Sequence, residues 1–224
     1  MPRTSRASVG GVCYHVLNRG NARNEVFHKE EDYVAFLKLL REAIERIPMR
    51  LLSYCLMPNH FHLALQTHED GDLSRWMQWL LTSHVRRYHR HYKTSGHVWQ
   101  GRFKAFPIQD DEHLLTVVRY IEGNPVRAKS LKISTAREWR WSSASRLKSD
   151  DRPDVEFAKL FPELAAERKG KRALSEETLS EVQLSLQRDR PYGDPVWREE
   201  TAERLGLMSS LRPRGRPRKD AREA

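Results

Sequence analysis

The stretch Met57-Pro58-Asn59-His60-Phe61-His62-Leu63-Ala64-Leu65 decides the fold of this chain. It reads as a tight turn feeding a strand. Proline presets φ for a turn, and asparagine tolerates turn geometry. Beyond them His60, His62 and Ala64 alternate with Phe61, Leu63 and Leu65. Alternate side chains of a strand share a face, roughly 6.5–7 Å apart along the backbone. Phe61 and the leucines make a face that buries, and two imidazoles stand side by side on the other. Paired imidazoles are a start for a divalent-cation site. On alternation alone the plainer reading is the better one: two histidines lining the edge of a half-buried sheet. Residues further along the chain reverse that preference.

Working outward, Gly11 to Asn18 is rich in β-formers and runs into the loop signal Arg19-Gly20-Asn21. Between Lys29 and Ile47 apolar residues recur at three and four, and Glu30, Glu31 and Asp32 sit where a helix dipole favours acids. Arg50 to Met57 is a strand that the Pro58-Asn59 turn joins to the histidine strand. A second amphipathic helix starts near Asp72 and ends in Arg86-Arg87-Tyr88-His89-Arg90-His91-Tyr92-Lys93. That mixture of cations and aromatics suits a nucleic-acid backbone with stacked bases, or a solvated helix end. Gly101 to Gln109 alternates as a strand, and Asp111 to Glu122 is a third helix with Leu114, Leu115, Val118 and Ile121 on its apolar stripe. The order β-α-β-β-α-β predicts an α+β, ferredoxin-like antiparallel sheet with two helices on one face. The third helix is left to pack on the open face or at the sheet edge.

Off that apolar stripe His113, Thr116, Tyr120 and Asn124 follow at three or four residues. Tyr120 and Asn124 are neighbours if the helix continues, although Pro125 disfavours helical geometry at Asn124. A tyrosine near two imidazoles and an amide oxygen suggests a metal-assisted nucleophile acting on a phosphate ester. By spacing alone the better reading is a helix-edge tyrosine with a wet hydroxyl.

The chain has 224 residues, enough for one sizeable core and an appendage. Its 40 Lys and Arg against 30 Asp and Glu leave a net charge of +10, which favours a polyanionic partner, nucleic acid before membrane. No apolar run approaches a membrane span, and the N-terminal residues do not resemble a signal peptide. Two cysteines without paired spacing fit a reduced cytoplasmic protein.

His60-Phe61-His62 after Met57-Pro58-Asn59 resembles the His-hydrophobic-His signature of single-tyrosine transposases. Tyr14-His15-Val16 with Arg19-Gly20-Asn21, then Val98-Trp99-Gln100-Gly101-Arg102-Phe103, then Arg119-Tyr120-Ile121-Glu122-Gly123-Asn124-Pro125-Val126-Arg127-Ala128, are similar to its other blocks, in order. The likeness covers roughly residues 10 to 145 and is nearest to the REP-associated tyrosine transposases, which act on repetitive extragenic palindromes of bacterial genomes. It implies transesterification of single-stranded hairpin DNA in a bacterial, nucleoid-associated setting. His60 and His62 become ligands of Mg²⁺ or Mn²⁺, with Asn124 as third ligand, and Tyr120 becomes the nucleophile that forms a 5′-phosphotyrosine. Arg19, Asn21, Arg86, Arg87, Arg102, Lys104 and Arg127 are then candidate DNA contacts. Relatives that share sites between subunits make a homodimer conceivable; the appended C-terminal segment points to a monomer. The competing reading is a module of the same fold that binds hairpin DNA or RNA without cutting it.

The resemblance divides the chain into a catalytic domain at 1–145, a helical extension at 146–206 and a basic tail at 207–224. Leu174 to Arg188 and a segment opened by Asp194-Pro195 and closed at Gly206 read as helices of the extension. In the tail, Arg212 to Lys219 holds five cations in eight residues. Its Arg214-Gly215-Arg216-Pro217 resembles a segment that lies in the narrow minor groove of A·T-rich duplex. Deleting the chain from Arg212 is expected to leave thermal stability nearly unchanged and to weaken DNA binding. Each lost phosphate contact should flatten the slope of log affinity against log salt by about 0.7 for single strands or about 0.9 for duplex. A loss independent of the A·T content of the hairpin stem would reduce the motif to a generic basic tail.

Overall fold

In the computed structural model, residues 8–145, 153–168 and 173–212 are described, and Arg214 and Arg216 lie outside them. Four strands, β1 (Cys13–Arg19), β2 (Met49–Met57), β3 (His60–Thr67) and β4 (Lys104–Ile108), form one sheet in the order β2-β3-β1-β4. Every neighbouring pair is antiparallel. Helices α1 (Glu30–Arg46) and α2 (Asp72–Tyr92) follow β1 and β3, giving the ferredoxin-like order. The fourth strand is shorter than the alternation from Gly101 suggests. Gly101 takes φ 69°, a left-handed turn that interrupts the ladder, and extended pairing resumes at Lys104.

Each face of the sheet has its own core. On one side Phe61, Leu63 and Leu65 join Tyr14, Tyr54 and Leu56 beneath the apolar stripes of α1 and α2. The opposite face, where the histidines lie, is also covered. Helix α3 (Glu112–Glu122) packs there, with Leu114, Leu115, Val118 and Ile121 against Cys55, Ala64 and Phe106. The third helix therefore takes the open face rather than the edge, and the imidazoles end up inside the protein. Asp111 starts α3 by accepting the His113 N–H at 2.8 Å.

The C-terminal segment packs onto the same face. Short helices α4 (Asn124–Arg127), α5 (Phe157–Leu160) and α6 (Pro162–Arg168) precede α7 (Glu176–Arg188), α8 (Pro195–Arg204) and α9 (Met208–Leu211). Phe157, Val182 and Leu186 enter the core beneath α3. Tyr192 donates its N–H to Pro107 O at 2.9 Å and accepts from Gln109 N at 3.0 Å, lengthening the sheet beside β4. Ser175 and Asp194 cap α7 and α8 through their side chains.

The Pro58-Asn59 turn between β2 and β3 also holds the loop after β1. Pro58 O accepts the N–H groups of Val26 and Phe27 at 2.8 and 3.1 Å, and Asn59 O accepts that of Gly20 at 2.8 Å. Asn59 Nδ2 donates to Arg23 O at 3.0 Å. So anchored, Ala22 and Arg23 sit at φ 52° and 64°, left-handed values that cost L-residues energy. A Cβ on Gly20 would meet Asn24 O at 2.2 Å, so the tight approach requires glycine there.

One polar group inside the α1/α2 core makes stability depend on pH. His84 is 2% exposed, with its ring 5.1 Å from those of Phe36 and Trp99. Burial lowers its pKa to about 3; Arg87 adds to the fall and Asp32 opposes it. The unfolded chain takes up a proton near pH 6.5, which the folded chain refuses down to about 3. This histidine's contribution is therefore present above about pH 6.5 and declines as pH falls, by about 2 kcal/mol at pH 5. His84→Leu should remove about that much of the stability difference between pH 7.5 and pH 5 in urea titrations. An unchanged difference would place the acid sensitivity elsewhere.

Candidate active site

His60 and His62 project from β3 on the side covered by α3, with ring centroids 5.1 Å apart. Their second nitrogens have assigned partners. His60 Nδ1 lies 2.6 Å from Asn59 Oδ1. Since Asn59 Nδ2 is fixed on Arg23 O, that oxygen can only accept, so the His60 proton sits on Nδ1 and Nε2 carries a lone pair. His62 Nδ1 lies 2.9 Å from His15 Nε2, and these two rings stack at 5.0 Å. When His62 is the donor of this pair, through Nδ1–H to His15 Nε2, its own Nε2 keeps a lone pair for a cation. Partners of this kind orient metal-binding imidazoles.

His15 is the residue that sequence reasoning missed as part of the site. It stands opposite Ala64 in the β1–β3 register, so its side chain shares the histidine face. The available signal was its alternation with Tyr14 and Val16, which enter the other core. Burial lowers its pKa to about 3. Burial and then Arg19 bring His60 to about 4. Burial, with His15, His60, Arg127 and Arg19 behind it, holds His62 well below the usual imidazole value. All three rings are neutral near pH 7, the form a cation binds.

From α3, Tyr120 reaches the same place. Its ring centroid lies 5.9 Å from that of His62 and 6.0 Å from that of His15. It is 6% exposed, so it is part of the second core rather than a wet helix edge. Burial raises its pKa, and the cations of Arg127 and Arg19 oppose that rise. The Arg127 guanidinium lies 4.4 Å from the ring centroid and also donates to Tyr120 O. A Cβ on Gly123 would sit 2.7 Å from Arg127 Nη1, so the glycine makes room for this fold-back.

The chain does not fray at Gly123. Its N–H donates to Arg119 O at 2.9 Å, and α4 begins at once with Asn124. Asn124 Nδ2 donates to the carbonyls of Tyr120 and Ile121, each at 3.1 Å, closing the end of α3. That leaves Oδ1 as the atom of this side chain suited to a cation. The rest of the polar line does not arrive. His113 pairs with Asp111 at 2.8 Å and packs on Tyr192, and Thr116 bonds back to Glu112 O. Asp111, Glu112 and His113 are close enough together to hold an ion, but they sit at the opposite end of α3 from Tyr120.

Tyr120 lines a cleft of about 590 Å³ together with Arg19, Arg23, Gln100, Arg102, Lys104 and residues of α7. Arg19, Arg102 and Lys104, three of the candidate DNA contacts, line this cleft. Lys104 Nζ also donates to Leu186 O and Gln187 O at 3.3 and 3.4 Å. From the turn after β1 it is Arg23 that lines the cleft, while Asn21 bonds Val98 O through its backbone N–H. Arg86 and Arg87 lie elsewhere. They line a groove with Trp79, Arg90, His91 and Lys93 on the α1/α2 side of the sheet, where Arg87 stands 3.7 Å from Asp32.

Residues 8–124, more than half of the chain, match the family described as "Transposase IS200 like". A curated Haemophilus influenzae protein named "Putative REP-associated tyrosine transposase" is 28% identical over 144 residues, 59% of this chain and 76% of that protein. A solved REP-associated tyrosine transposase bound to a REP hairpin is similar in fold, with TM-score 0.52 and 18% identity, covering 78% of this chain and 100% of that one. No helix among the described residues is long and apolar enough to cross a membrane. The family match runs from the start of the described chain through His15, His60, His62 and Tyr120 to Asn124, and on that extent the chain belongs to the IS200-like transposase family.

Proposed function

We propose that this transposase cuts and rejoins single-stranded DNA beside a hairpin, with Tyr120 as nucleophile. One observation carries the reading: the Tyr120 ring stands about 6 Å from the His62 and His15 rings and opens onto a cleft walled by Arg19, Arg23 and Arg102. Cations along such a wall neutralise phosphates and hold a strand in place. The Tyr120 oxygen gives its proton to solvent in the cleft and attacks phosphorus, and the bond from phosphorus to the 3′-oxygen breaks. The phosphate stays on the tyrosine as a 5′-phosphotyrosine, and the leaving oxygen takes a proton to become a free 3′-OH. Attack by that hydroxyl reverses the step and reseals a strand.

Nε2 of His60, Nε2 of His62 and Oδ1 of Asn124 would hold a divalent cation. Imidazoles alone suit softer ions, and amide and phosphate oxygens make the set fit Mg²⁺ or Mn²⁺. Bound there, it supplies a Lewis acid for a phosphate oxygen. Arg127 offsets the effect of burial on the phenol and holds the ring through its stacking. Tyr120 and the histidines meet within one chain, which supports a monomer as the working unit. A hairpin is the partner favoured by likeness to a relative solved with one, and a nucleoid-associated setting fits such a partner.

Tyr120→Phe is expected to keep hairpin binding and abolish the covalent protein–DNA adduct seen with labelled single-stranded hairpin DNA and Mg²⁺ on denaturing gels. Adduct from the Phe variant would assign another nucleophile. His60→Ala or His62→Ala should likewise stop adduct formation while sparing most of the binding, and chelator should do the same to the parent protein. Cleavage persisting in excess chelator would remove the cation from the mechanism.

A second expectation concerns Arg127. Arg127→Met should raise the Tyr120 pKa further, because the cation that lowers it is gone. Gly123→Ala, which displaces the guanidinium, should shift it the same way. Titration of ¹³C-labelled tyrosine by NMR, with the Tyr120 signal assigned from the Phe variant, reads both. No shift in either variant would mean that Arg127 does not act on the phenol.

A further inference from the structure

The lining of the cleft beside Tyr120 is of two chemical kinds. Arg19 and Arg102, from the β1 end and the segment before β4, carry positive charge. Helix α7 of the C-terminal segment contributes Gln183 and Gln187 to the lining, with Lys104 Nζ seated at its last turn on Leu186 O and Gln187 O. The two glutamines are i and i+4, neighbours on one helix face, and both are exposed. A phosphodiester strand lying in such a cleft sets its phosphates against Arg19 and Arg102, which leaves the amides of α7 for its bases. Phosphate contacts position a strand, whereas base contacts specify it.

We propose that Gln183 and Gln187 form a base-reading subsite, taking an unpaired adenine next to the phosphate that Tyr120 attacks. This rests on the transesterase reading above and assigns its sequence preference to α7. A carboxamide offers one donor and one acceptor side by side, which complements N6–H and N7 of adenine. An unpaired base also exposes the N6–H and N1 edge, equally matched by an amide. Leu186 between them is buried in the core, so the base would meet the two amides rather than an apolar platform.

Helix α7 is held rigidly enough to discriminate. Val182 and Leu186 anchor α7 in the core, Ser175 caps its start, and Lys104 from β4 ties its last turn through Leu186 O and Gln187 O. Nothing in the packing of α7 requires glutamine at 183 or 187, since both side chains point away from that core into the cleft.

The test uses the full chain and a pool of hairpin oligonucleotides whose single-stranded flank is randomised, with Mg²⁺. Strands captured covalently are sequenced, and strands bound by the Tyr120→Phe protein are sequenced in parallel, so that preference is read with and without chemistry. The parent protein should favour adenine at one flank position by roughly 5- to 150-fold, the range for one good bidentate contact. Gln183→Ala combined with Gln187→Ala should bring that ratio close to one at that position only, with hairpin affinity within a few-fold. Gln187→Arg should move the preference toward guanine, which arginine reads through O6 and N7. Unchanged preference in the double variant, in both capture and binding, overturns the subsite while leaving the transesterase reading intact. Absence of any adduct from the parent protein overturns that reading, and this assignment with it.

Discussion

β3 lies between β2 and β1, so both of its edges are paired and both of its faces are covered. Its alternation therefore feeds two different cores. Phe61, Leu63 and Leu65 serve the α1/α2 layer, and His60, His62 and Ala64 meet α3. A slip of one residue would place imidazoles among leucines and leucines against the site, an exchange that both cores resist. The two-residue turn at Pro58-Asn59 fixes where that alternation starts. The site's geometry depends on this register, because His15 and Arg19 find His62 and His60 only through the pairing of β1 with β3.

The same turn links the chemistry to the loop after β1. Its carbonyls and the Asn59 side chain bind residues 20 to 27 and hold Ala22 and Arg23 in left-handed conformations. That strain is tolerated because several hydrogen bonds over-determine the loop, and the outcome is an arginine in the cleft. Asn59 thus has two tasks. Its amide nitrogen fixes the Arg23 carbonyl, and its amide oxygen fixes the His60 tautomer.

The extension after residue 145 is structurally continuous with the catalytic fold. Phe157, Val182 and Leu186 complete the core under α3, and Glu156 N–H bonds Leu51 O at 2.8 Å. Tyr120 is consequently held between the sheet and packed helices, with α7 forming part of the cleft into which it opens. Burial of a phenol, an arginine and three histidines in one region is costly, and the protein meets that cost with neutral imidazoles and with Arg127 placed over the ring.

Much of this was legible before any coordinates. Period two after Pro58-Asn59 gave the histidine strand, periods of three and four gave the helices, and their order gave an antiparallel sheet with helices on its faces. Local spacing also put Tyr120 off the α3 stripe and next to Asn124. Local pattern is silent about partners distant in sequence. That is why His15, though inside a matched block, was not assigned to the site, why the stacking of Arg127 over Tyr120 was not foreseen, and why Arg86 and Arg87 stood beside Arg19 and Arg102 as DNA candidates although they line a different groove. Which residues share a strand or helix face follows from the order of the amino acids, since backbone periodicity is local. Which faces meet does not, because strand pairing and the descent of α3 and α7 onto the sheet are set by burial of apolar surface between segments many residues apart.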